Sequence, residues 1–233
     1  MSASFGQTAL LIFSRNASQE SVAKTFDRKV GKKGNQAIAQ RLIRETIATA
    51  NGTHLPVFLH STTAQNANTF GENLADALES VFNKGYTQVI AIGNDCPDLS
   101  KSLILEADLR LQEQKLVLGP ANDGGVYLIG IQKSAYQRSA FLALPWETVH
   151  LQAAWKQYLA ASAPEISWLQ PFSDIDHAAD FKALLNRLPK WSLLRKQFLS
   201  ILASLHTALA FGQRNFPSVA LQSSPPLRGP PSC

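Results

Sequence analysis

Cysteine is nearly absent from this 233-residue chain: Cys96 and Cys233 are the only two. Two thiols, one of them at the last position, build neither a disulfide framework nor a cysteine zinc site, so a reducing, cytoplasmic setting is the expectation. Long apolar runs are missing as well. None approaches the ~20 residues that a membrane span requires. The opening MSASFGQTALLIFSR shows neither a basic leader nor a small-residue cleavage site, so it reads as neither a signal peptide nor a membrane partner. Nothing matches the phosphate-binding patterns G-x-x-x-x-G-K-[ST] or G-x-G-x-x-G. Acid disappears after Asp180: residues 181–233 hold seven basic side chains and no acidic one, against 15 basic and 17 acidic in residues 1–180. The formal net charge of +5 therefore belongs to the C-terminal quarter. Nucleic acid is disfavoured as a partner of the main body.

What is present is core-forming material, 45% of the residues being hydrophobic. Short apolar runs at Thr8–Phe13, Leu55–His60, Thr87–Ile92, Lys115–Leu118, Val126–Ile131 and Ile166–Leu169 have buried-strand length. Helical spacing covers Asn35–Ala50, Gly71–Asn83, Thr148–Ala161 and His177–Leu188, with a further helix through Glu113 that Ser100 could cap. Strands alternating with helices imply βαβ crossovers, hence a three-layer α/β/α sandwich around a mainly parallel sheet. That domain spans residues 1–188. Residues 189–211 read as one amphipathic helix whose stripe is Trp191, Leu194, Phe198, Ile201, Leu205 and Ala208. Such a stripe must pack on the domain or on a second subunit, giving a homodimer. Residues 212–233, with five prolines and no periodicity, read as a disordered tail.

Ligands of open parallel sheets bind beyond the carboxyl ends of the strands. Three polar clusters lie there. Gly93-Asn94-Asp95-Cys96-Pro97-Asp98 follows the strand ending at Ile92. A carboxylate at that place can reach a hard cation, and Asp95 has the least local structural excuse. Asp98 is read as a helix cap. Cys96 is read as a small buried residue, since no histidine lies near it in sequence. Gly119–Tyr127 contains Asn122-Asp123-Gly124-Gly125, a turn signal whose glycines would also let backbone approach a ligand. Asp174-Ile175-Asp176 precedes the His177–Leu188 helix, which Asp176 or His177 could cap; Asp176 could equally supply a second metal carboxylate. The stretch Ser14–Lys33 reads as a loop with Arg15, Lys24, Arg28, Lys29, Lys32 and Lys33, equally compatible with triphosphate binding and with simple solvation.

These motifs together resemble a known family. LLIFSR at Leu10–Arg15, Lys24-Thr25, Gln65 with Gly71-Glu72, IGNDCPDL at Ile92–Leu99, LGPANDGGVYLIG at Leu118–Gly130, PWET at Pro145–Thr148 and DIDHAADF at Asp174–Phe181 occur in order. They are similar to the domain of unknown function 2064 family, a glycosyltransferase-A-like group also labelled radical-SAM/selenodomain-associated transferase. The resemblance covers residues 8–188 and implies a nucleotide-diphospho-sugar transferase fold. It further implies that Asp95 and Asp176 hold Mg²⁺ (or Mn²⁺) on nucleotide phosphates. Arg15, Lys24 and Asn94 would then face the nucleotide, and Asn122, Asp123, Gly124 and Gly125 the acceptor or sugar. Asp95 and Asp123 are the catalytic candidates. Without the metal, two neighbouring carboxylates at Asp95 and Asp176 would repel.

The departures from the family pattern are local. Its first loop usually reads approximately P-x-P-G-x-x-K-T-R-L; here Ala17–Phe26 lacks the Pro/Gly framework and Phe26 stands at the arginine position. Asn73 replaces a second arginine. Each lost arginine–phosphate contact is worth roughly 2–3 kcal/mol. The resulting expectation is a Mg²⁺-dependent nucleotidyl- or glycosyl-transferase with an NTP or NDP-sugar donor and a small-molecule acceptor. The competing expectation is a catalytically silent nucleotide-sugar binding or scaffold protein.

Overall fold

Strand β1, Thr8–Arg15, is buried along nearly its whole length, which is why TALLIF shows no apolar–polar alternation. Its side chains nevertheless divide by parity: Ala9, Leu11 and Phe13 enter one hydrophobic cluster, Leu10 and Ile12 another. The computed structural model describes residues 8–62, 69–158 and 166–212, with side chains as far as Ala203. Within them the sheet has six strands in the order β2 (Val57–Thr62), β1, β3 (Gln88–Ile92), β5 (Val126–Gln132), β4 (Leu116–Pro120), β6 (Ser167–Trp168). β1 is parallel to β2 and β3, and β6 to β4; β5 alone runs against its neighbours β3 and β4. The expected mainly parallel three-layer sandwich is the fold observed.

On one face, α3 (Phe70–Phe82), α5 (Arg138–Leu142) and α6 (Leu151–Tyr158) cover Leu11, Phe13 and Ala91 through Leu74, Leu78, Phe141 and Trp155. On the other, α2 (Gly31–Asn51) and α4 (Lys101–Glu113) cover Leu10, Ile12, Ile90 and Ile92. A third cluster joins Ile38 and Leu42 of α2 to Phe181 and Leu184 of α7 (Ala178–Arg187) and to Leu194 and Phe198 of α8 (Leu193–Gly212). The C-terminal helix thus packs its first turns on its own chain. Trp191 is not part of that stripe: it precedes α8 and is 78% exposed. Leu205 and Ala208 of the expected stripe, Gln65, and the Pro-rich tail lie outside the described side chains.

Two local readings are corrected. Ser14–Lys33 is not all loop, because Ala17–Ala23 forms a helix, α1, closed by a reciprocal cap: Asn16 Oδ1 accepts from Gln19 N–H and Gln19 Oε1 from Asn16 N–H. Asp98 is no helix cap either. Ser100 Oγ accepts from Leu103 N–H at the start of α4, while Asp98 binds the Arg187 guanidinium. The Asp-Gly turn, by contrast, joins antiparallel β4 and β5 as the turn chemistry suggests. Gly124 has φ +99°, and a Cβ there would lie 2.5 Å from the Val149 carbonyl oxygen, so this position admits only glycine without rearrangement.

Candidate functional site

The cap at Asn16 fixes the direction of α1, and with it the inward side of that helix. Glu20 and Lys24, one turn apart, are both buried there, at 4% and 8% exposed. Lys24 ends the helix in extended conformation, its N–H donating to the Glu20 carbonyl. The segment beyond it is held by Asn35, whose Oδ1 accepts from Phe26 N–H and Asp27 N–H and whose Nδ2 donates to the Asp27 and Gly31 carbonyls. Two backbone links draw the acidic segments to the same point. Ile175 N–H donates to the Asp95 carbonyl at 2.9 Å, and Thr25 bridges His177 in parallel register.

The consequence is a single polar centre. Lys24 Nζ lies 2.7 Å from Asp95 Oδ2 and 2.9 Å from Asp176 Oδ1. Asp176 does not cap α7: His177 is the N-cap residue, its N–H donating to Asp180 in the first turn. Burial alone would lower the Lys24 pKa, but Asp95 above all, then the nearby Glu20 carboxylate and Asp176, hold the ammonium in its charged form and push its pKa well above the usual lysine range. The repulsion expected of a bare Asp95–Asp176 pair is therefore bridged in this structure.

This centre opens onto a cavity of about 990 Å³ at the carboxyl ends of β1 and β3. Six carboxylates (Glu20, Asp95, Asp123, Glu147, Asp174 and Asp176) and two cationic side chains (Arg15 and Lys24) line it. Burial and the surrounding carboxylates push Asp174 up to about 8, and its Oδ1 has no hydrogen-bond partner among the described residues. Arg15 stands at the rim, 3.7 Å from Glu147. Asn94 is buried in the wall, and Asp123 also lines the cavity, with Oδ1 accepting from Gly125 N–H. Asn122 donates to Ser173 Oγ and Gly124 abuts Val149, so these two brace the loop, while Asp123 and Gly125 line the cavity.

Sequence reasoning missed Glu20 and Glu147, and gave Asp174 no role of its own within its cluster. For Glu20 a signal was available, the Asn-x-x-Gln spacing of the α1 cap, which turns residue 20 inward. Phe26, at the family's arginine position, is 2% exposed and packs on Phe181. Asn73 lines the cavity and donates to the Thr69 carbonyl. Cys96 is buried in the cluster under α4, and burial raises its thiol above the usual range. In Cys233→Ser protein it should resist Ellman's reagent at pH 8 and react fully on unfolding; rapid labelling of the folded protein would place it in the accessible site.

The chemistry of the donor set fits a hard cation. A cavity with a surplus of carboxylates favours one, and Asp95 and Asp176 already converge on one positive charge. Among the described residues no three acidic, histidine or cysteine groups are gathered as a ready-made cage. The family model described as "Uncharacterized protein conserved in bacteria (DUF2064)" matches residues 35–148. Residues 35–148 belong to the DUF2064 family. No curated protein matches the chain in sequence. A crystal structure of a candidate nucleotide-diphospho-sugar transferase from Desulfovibrio desulfuricans G20 superimposes with a TM-score of 0.73 at 20% identity, covering 87% of this chain and 98% of that one. That similarity establishes the fold of this chain. Weaker likenesses include Rv0371C with manganese from Mycobacterium tuberculosis H37Rv (TM-score 0.42, 14% identity, 78% and 100% covered). Another is a cytidylyltransferase from Leptospira borgpetersenii serovar Hardjo-bovis (TM-score 0.44, 14% identity, 91% and 99% covered). No helix among the described residues is long and apolar enough to cross a membrane.

Proposed function

We propose that this DUF2064 chain is a cytoplasmic transferase that takes an NTP or NDP-sugar donor with Mg²⁺ or Mn²⁺ and passes its nucleotidyl or glycosyl group to a small-molecule acceptor. One observation carries the reading: Asp95 and Asp176, brought in from separate segments, converge on one cation position at the mouth of a large cavity beyond parallel strands. Those two carboxylates would hold the metal, which when bound neutralises charge on the donor's phosphates. The chain's own groups do the rest. Arg15 at the rim meets phosphate with a planar fork, buried Asn94 fixes the donor's orientation, and Asp123 in the cavity lining faces the acceptor.

A silent binding protein is the second reading, favoured by Phe26 being locked in the core where the family pattern has an arginine. Melting the protein with nucleotides and NDP-sugars, each with Mg²⁺ or Mn²⁺, tests both. A ligand at 100 times its Kd should contribute about 2.7 kcal/mol. Release of pyrophosphate or of nucleoside diphosphate from a stabilising ligand establishes the transferase, and binding without turnover the silent protein. Absence of any metal-dependent stabilisation would sink the reading.

A further inference from the structure

Glu20 Oε2 is buried without a hydrogen-bond partner among the described residues. An orphaned carboxylate oxygen at 4% exposure is costly, and no role assigned above uses it. Burial raises the carboxyl above its ordinary range, with Lys24 opposing that shift. Lys24 is four residues on along α1, in register for a pair, but its ammonium is spent on Asp95 and Asp176. The ammonium thus stands on the oxygens that a divalent cation would take. Both cannot stay there, because two positive charges about 3 Å apart repel strongly, the more so where the ammonium itself is buried. The displaced ammonium would be left buried and in need of an anion.

We propose that Glu20 is a positioning residue, the second seat for the Lys24 ammonium, occupied when a divalent cation binds Asp95 and Asp176. The inference rests on the cation reading given under Proposed function. It accounts for two features together: a lysine bridging the carboxylates that would serve as metal ligands, and an empty acceptor one helical turn behind it. Cation entry then becomes an exchange within the site. The ammonium moves from Asp95 and Asp176 to Glu20, the site's lysine stays buried and paired, and the released carboxylate oxygens face the incoming ion.

The test is Mn²⁺ titration of the full chain, reading free Mn²⁺ by electron paramagnetic resonance, with melting as a check on folding. Lys24→Met, with no ammonium to displace, should bind Mn²⁺ about tenfold tighter than the parent. Glu20→Gln should bind about fivefold more weakly, and Glu20→Met, which offers the ammonium no oxygen, more weakly still. Gln removes the cost of a buried charge, so Glu20→Gln should melt no lower than the parent at pH 7. The decisive comparison is the double variant. Glu20→Gln in the Lys24→Met background should leave Mn²⁺ affinity within about twofold of Lys24→Met alone, because Glu20 acts through the ammonium. The same weakening in both backgrounds would show Glu20 acting only as a nearby negative charge, and equal affinity of parent and Glu20→Gln would likewise overturn the exchange. If neither the parent nor Lys24→Met binds Mn²⁺, the cation site itself is wrong and the exchange falls with it.

Discussion

Asp95→Asn and Asp176→Asn should each lower donor turnover by about a hundredfold or more, since each removes one of two carboxylates available to the cation. The double variant should be little worse than either single, because both act through one ion. Their effect on the metal-free protein follows from Lys24. A bare carboxylate pair would gain stability from losing a charge, but here each substitution strips the buried ammonium of one partner, at 2.7 Å or 2.9 Å. Both variants should therefore melt below the parent without metal, modestly, because Asp95 and Asp176 keep 30% and 41% of their side chains exposed. Asp98→Asn is the nearby comparison: it weakens a half-exposed pair with Arg187, worth at most about 1 kcal/mol, and should spare turnover. Turnover of Asp95→Asn within a few-fold of the parent would remove this residue from the site.

Phe198→Ala should cost about 3–5 kcal/mol and lower the melting temperature by about 10 °C. Phe198 is fully buried, edge-on to Phe181 with centroids 5.1 Å apart, in a cluster with Ile38 and Leu42. Its loss opens a cavity shared by α2, α7 and α8. Because α7 follows directly on Asp176, loosening there should also weaken Mn²⁺ binding. Trp191→Ala, at an exposed position, should change stability by under about 0.5 kcal/mol. Equal stability of Phe198→Ala and the parent would mean that α8 is not docked as described.

The contrast between those two aromatic residues shows what could be read from the sequence. The central strands were legible because burial on both faces leaves continuous apolar runs at Leu10–Phe13 and Val89–Ile92. Helix α4 was legible to its ends because Ser100 is a strong cap. Trp191 was misplaced because helical spacing continues one turn beyond the point where the chain becomes helical, at Leu193. Helix α1 was missed for a different reason. Its inward face presents Glu20 rather than an apolar side chain, so its periodicity has no hydrophobic signal. The candidate site was half legible in position: Asp95 and Asp176 were placed at strand and helix ends, while their meeting through Lys24 depends on contacts 71 and more residues apart.

The stitching of residues 24–25, 95 and 175–177 has a consequence in time. Ile175 N–H on the Asp95 carbonyl and Thr25 against His177 can form only once the chain has been made through His177. On the ribosome, the strands β1 to β5 can pair while Asp95 and Lys24 still wait for their last partner. Long-range closures of this kind are slow, so refolding should restore sheet structure before it restores cation binding. A nascent chain stalled before Asp174 would carry most of the sheet and no working centre.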